Sequence, residues 1–247
     1  MVTQSSTSRA ILHLHEIEKS LVQADIELYL RDELSSISMT DDEVAQLATR
    51  SGNLFIYAAT LVRYIHPSEG AVDPQRRLRS ALAITSESAN KYAELDALYV
   101  AVLKAALERK GLDSDEAEDV RVVLWTVLCV QEPISIQTLA NLAGVNDSRR
   151  TLPALQALRS VIHVSEMSKL VSTLHASFPD FMFSKERSGR FFCDLAGHNE
   201  SLAERCFDVM KAQLRKPGRS CVESNLGNVG ILMSILGRSL GTGHEFG

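Results

Sequence analysis

The stretch that decides the fold is "EPISIQTLANLAGVNDSRRTLPALQALRSVIHVSEMSKLVST", residues 132–173. Its first part predicts a short helix that begins after Pro133 and stops at Gly144. "SRRTLPALQALRS" predicts a second helix, with Pro153 tolerated in its first turns, where a missing N–H costs little. Two runs rich in β-branched residues follow, "VIHV" and "LVST", separated by "SEMSK". Helix, turn, helix and then a hairpin is the order of a winged helix-turn-helix.

Upstream of this stretch the chain reads as helices. Asp25 is the expected N-cap of "DIELYLRDEL", and "ILHL" at 11–14 reads as a short strand. Thr40 and Glu43 stand at capping-box spacing, with acids in the first turn where the helix dipole favours them. Gly52 is expected to end that helix before "NLFIYAATLVRYI", and Pro67 and Pro74 bracket a loop. "LDALYVAVLKAALERK" carries an apolar stripe at helical spacing, with Gly111 as its stop. Ser114 opens a further helix striped by Val120, Val123, Leu124, Val127 and Leu128, with Trp125 beside the stripe. Such stripes are core, because an amphipathic helix must bury one face. The expected fold class is mainly α: a helical bundle followed by a winged helix with a small β-hairpin.

Composition narrows the function. The 247 residues are 45% hydrophobic and 23% charged with a net charge of −5, which weighs against a general nucleic-acid or anionic-membrane binder. Cys129, Cys193, Cys206 and Cys221 show no paired spacing, as expected of buried thiols in a reducing compartment. "MVTQSSTSRA" shows no signal-peptide pattern. The longest apolar run, "LFIYAATLV" at 54–62, falls short of the ~20 residues that span a bilayer. A cytoplasmic protein without a membrane partner is therefore expected.

A DNA-reading winged helix would use Arg149, Arg150 and Arg159 on the second helix and Lys169 on the hairpin. These four face Glu132, Asp147 and Glu166, a weak electrostatic footprint that favours solvated arginines on a packing helix. His175, Ser177 and Asp180 in "LHASFPDFM" are close in sequence, but residues i and i+2 of a helix face apart. The sequence contains no GxSxG elbow, no HExxH and no GxxxxGK[ST] loop, so no catalysis is expected of it. His13 and His15 would share a strand face without a third ligand, and no metal is expected. His175, at a strand-to-helix junction, reads either as a cap or as a group facing an anion. Phe178 and Phe181 are expected to point inward.

Seven segments in order, "DIELYLRDEL" (25–34), "GNLFIYAATLVRYI" (52–65), "LDALYVAVLKAAL" (95–107), "EPISIQTLANL" (132–142), "LHASFPDFM" (174–182), "RSGRFFCD" (187–194) and "LAERCFDVM" (202–210), resemble one region of a known family. That region lies downstream of the nucleotide-binding core in NACHT-type proteins of mushroom-forming fungi, which belong to the signal-transducing (STAND) P-loop NTPases. The resemblance implies a remnant or irregular N-terminal segment at 1–23, a helical domain at 24–112, a winged-helix domain at 113–182, the start of a further helical region at 183–214 and a divergent tail at 215–247. It further implies that the winged helix is a switch element. A histidine at the start of the helix after the wing contacts the β-phosphate of ADP in such proteins, and His175 stands at the matching place. Asp180 is expected to be structural. The Walker motifs lie upstream in the family and are absent from this sequence, so no cofactor is expected on its own and ADP or ATP only beside a P-loop domain, in cis or in trans. "TSR" at 7–9 echoes the family's sensor motif. The function implied is a non-catalytic interaction module, present as a fragment or a standalone product. A winged-helix DNA-binding regulator and a nucleotide-independent helical adaptor are the alternatives.

Overall fold

The structure, a computed structural model, describes residues 19–66, 73–85, 92–130, 132–145 and 148–214. The "ILHL" strand, His13 and His15, "TSR", Pro67, Cys221 and the 215–247 tail lie outside the described residues.

The protein is mainly helical with one small antiparallel sheet. Helix α1 (Lys19–Glu33) begins upstream of Asp25, which is exposed in mid-helix rather than capping it. The stripe Val22, Ile26, Leu30 and Leu34 repeats every four residues and carries the helix across Asp25, back into the segment expected to be irregular. Helix α2 (Asp41–Ser51) has the expected cap: Thr40 Oγ1 accepts from Glu43 N–H (3.2 Å) and Glu43 Oε2 accepts from Thr40 N–H (2.8 Å). Gly52 ends it at φ +55°, a conformation that costs a side-chain-bearing residue more. Helix α3 (Phe55–Ile65) follows, then α4 (Pro74–Leu82), with Pro74 in its first turn and Asp73 as N-cap accepting from Gln75 N–H (2.9 Å).

Helix α5 (Ala93–Leu107) stops short of Gly111; Glu108 N–H closes the last turn on Lys104 O (2.9 Å), and Gly111 adopts φ +86° in the loop beyond. Helix α6 (Ser114–Val130) begins where expected, capped by Asp113, whose Oδ1 accepts from Glu116 N–H (2.7 Å). Strand β1 (Ile134–Ser135) precedes α7 (Ile136–Ala143), which Ser135 caps and the left-handed Gly144 ends. Helix α8 (Ser148–Leu158) contains Pro153. Strands β2 (Ile162–Val164) and β3 (Leu170–Thr173) form the expected hairpin, pairing Ile162 with Thr173 and Val164 with Val171. The sheet order is β1-β3-β2, so β1 closes on β3 through Ile134–Val171. The short α9 (Ser177–Met182), α10 (Lys185–Ser188), a 3-10 turn at Gly189–Phe191 and α11 (Leu195–Leu214) complete the described chain.

One buried apolar cluster runs from Ile26 to Cys206 and crosses the expected boundary between residues 112 and 113. Phe178 and Phe181 point into it as expected, against the ring of Tyr99 at 5.0 and 5.3 Å. Among the described residues, no helix is long and apolar enough to cross a membrane.

Candidate functional site

His175 lies in the turn between β3 and α9, with its side chain exposed. Leu174 N–H donates to Val161 O (2.9 Å), which ties this turn to the start of β2. His175 Nδ1 accepts the Ser177 N–H (3.1 Å) and lies 2.8 Å from Ser177 Oγ. The expectation that residues 175 and 177 face apart is corrected here. It assumed both lie within a helix, whereas α9 starts only at Ser177, and the preceding turn folds the imidazole back over the first helical residue.

The direction of these bonds follows from the acceptor. Nδ1 accepts an N–H, so it carries no proton, and Ser177 Oγ lies beside the same nitrogen. Ser177 Oγ also hydrogen-bonds Tyr99 Oη, 2.9 Å away on α5. In the neutral imidazole with an accepting Nδ1 the proton sits on Nε2. Burial pushes the Tyr99 hydroxyl above its usual value, with the Ser177 hydrogen bond opposing, so the phenol remains a donor. The result is a fixed imidazole, presented at the surface and wired to a buried tyrosine of the helical part. It is a cap as well as a ring that can donate to an anion or a carbonyl.

Beside α9 a cleft of about 340 Å³ runs over Val127, Leu128, Pro179 and Phe183, with Glu132 and Asp180 on its rim. Asp180 is exposed in the first turn of α9. The α9 end is further held by Arg187, which donates to both carboxylate oxygens of Asp96 on α5 (Nε–Oδ2 3.0 Å, Nη2–Oδ1 2.7 Å). Asp96 raises the arginine's pKa further above its already high value.

Of the four residues of the DNA-binding alternative, Arg149 and Arg150 line one cleft and Arg159 another. Arg150 donates through Nε and Nη2 to Asp119 of α6, both at 2.7 Å, across a mixed-charge cleft of about 290 Å³ that Arg149 also lines. Arg159 donates to the carbonyls of Arg63 (3.2 Å) and His66 at the end of α3. Lys169 sits at φ +54° in the hairpin turn, its N–H bonded to Ser165 O (2.9 Å). Arg150 and Arg159 thus donate to protein acceptors that the sequence did not signal.

Long-range pairs are what sequence spacing misses. Cys129 and Cys193, far apart in the chain, are hydrogen-bonded neighbours in the core, and that bond together with burial pushes the Cys193 thiol far up. Burial raises Cys206 to about 11. Both shifts, of Cys193 and Cys206, disfavour the thiolate that a nucleophile needs. Among the described residues, no cluster of three metal-ligating side chains occurs. No protein-family model, curated protein or solved structure matches the chain.

Proposed function

We propose that the chain is a non-catalytic regulatory and interaction module of NACHT type, coupling the nucleotide state of a P-loop domain to protein–protein contacts. The P-loop domain would be supplied in cis or in trans, and His175 would donate from Nε2 to the β-phosphate of ADP.

The observation that carries this reading is the position of His175: exposed, fixed through Nδ1, and joined through Ser177 to Tyr99 of α5. A contact made at the imidazole is felt directly by the helical part, which is what a switch needs. Further support comes from the element order α6-β1-α7-α8-β2-β3 with sheet order β1-β3-β2, the arrangement of strands and helices that a winged helix uses. The seven-segment resemblance supports the same assignment.

The test is ADP release from a chain that joins these residues to a P-loop domain. His175→Ala should speed release, and unchanged release would remove His175 from the nucleotide contact.

A further inference from the structure

The cleft of about 340 Å³ beside α9 has an apolar floor. Val127 and Leu128 come from α6, Pro179 from α9 and Phe183 from the residue that ends it. The charged side chains that line it are two carboxylates, Glu132 and Asp180. The cleft of Arg149 and Arg150 and the cleft of Arg159 carry guanidinium groups as well. The α9 cleft therefore suits an apolar occupant with a positive charge at its edge, and disfavours a negative one.

One run of this chain has that composition. "VGILMSILGRSL", residues 229–240, lies outside the described residues and contains one cation, Arg238, and no acid. Ile231, Leu232, Ile235 and Leu236 recur at the spacing of one helix face. Aliphatic side chains at this density favour leaving water for an apolar surface within reach. The cleft is within reach. Helix α11 meets Thr126 of α6 through His198 and the end of α7 through Arg205 and Leu142 O, so its last turns lie beyond that end. The cleft lies by Glu132, before α7 begins. Returning past those turns and the length of α7 takes roughly 25 Å at about 1.5 Å per residue. Residues 215–230 extend to roughly 50 Å.

We infer that residues 229–240 of this chain dock in the cleft beside α9. Their aliphatic side chains rest on Val127, Leu128, Pro179 and Phe183, and Arg238 turns toward Asp180 and Glu132. The inference does not rest on the proposed role of His175, and no nucleotide enters its test.

The experiment follows backbone amide hydrogen exchange of the full chain by mass spectrometry, at high and at low micromolar concentration. Residues 229–240 of wild type should exchange about tenfold more slowly than those of Ile235→Asp. The amides of α9 should exchange several-fold faster in that variant than in wild type. Arg238→Glu and Asp180→Lys should each release the segment in part. Their double variant should regain most of the protection, which damage to the fold would not allow. Equal exchange of 229–240 in wild type and Ile235→Asp overturns the inference. Protection of 229–240 with α9 unchanged between the two proteins also overturns it, because the segment then docks elsewhere. Protection lost on dilution does so too, since it assigns the cleft to a second copy of the chain.

Discussion

Tyr99 and Ser177 meet at 2.9 Å across seventy-eight residues of sequence, and that bond joins the helical part of the chain to the turn carrying His175. The tyrosine is 1% exposed and its ring lies edge-on to Phe178. Tyr99→Phe keeps the packing and removes the hydroxyl, so it should lower stability by about 1 kcal/mol. Tyr99→Ala also leaves a cavity beside two phenylalanines and should cost about 3–5 kcal/mol. Denaturant unfolding of the two variants measures the difference. Equal losses would mean that the ring contributes nothing.

The bidentate Asp96–Arg187 pair is the second tie between the same two parts, with side chains only 14% and 18% exposed. Removing one partner strands the other charge in a poorly solvated place, so Asp96→Ala should cost about 3 kcal/mol. The double variant with Arg187→Met should lose much less than the sum of the singles, which a double-mutant cycle reads directly.

A pH dependence follows from His198 on α11. Burial, with a smaller contribution from Arg205, lowers its pKa to about 4 from the ordinary 6.5. Its Nε2 lies 3.3 Å from Thr126 Oγ1, and its ring stands edge-on to Trp125. Below pH 6.5 the unfolded chain takes up the proton before the folded one does. Stability is therefore fully present above pH 6.5 and falls as pH drops toward 4, by about 2 kcal/mol once partial solvation is allowed for. His198→Gln should flatten this slope, and urea unfolding at several pH values checks it. A slope unchanged in the variant would place the proton elsewhere.

Gly144 ends α7 in the left-handed region at φ +72°, and a Cβ there would stand 2.7 Å from Arg205 Nη1. That guanidinium donates to Leu142 O (3.0 Å), pinning α11 to α7. Gly144→Ala should cost about 1–2 kcal/mol through backbone strain and displacement of Arg205. A melting temperature equal to that of wild type would contradict both terms.

Local signals were legible in the sequence wherever a few neighbouring residues decide the outcome. The Thr40–Glu43 box, the Gly144 stop, the 162–173 hairpin and the inward Phe178 and Phe181 belong to this class. Boundaries set by competition were not. Asp25 is a good cap residue, but the stripe from Val22 to Leu34 buries more when the helix continues through it. Strand β1 has only two residues, too few for a pattern, and exists because β3 offers Ile134 a partner. Helix α4 has its start signals in Asp73 and Pro74, residue types that serve a loop boundary equally well. Within the candidate site, the residue His175 was visible, yet its partners were not. Ser177 and Tyr99, the Arg150–Asp119 pair and the Arg63–Arg159 exchange depend on how distant elements pack, and no local spacing encodes them.

The central claim is that His175 holds ADP as part of a unit with Ser177. The measurement that tests it most directly is the ADP dissociation rate from a chain joining these residues to a P-loop domain, for wild type, His175→Ala, Ser177→Ala and the double variant. Ser177→Ala removes the Oγ contact and leaves the imidazole held by the backbone N–H alone, so each single substitution should speed release and the double should be no faster than His175→Ala alone. Identical rates in all four proteins would contradict the account.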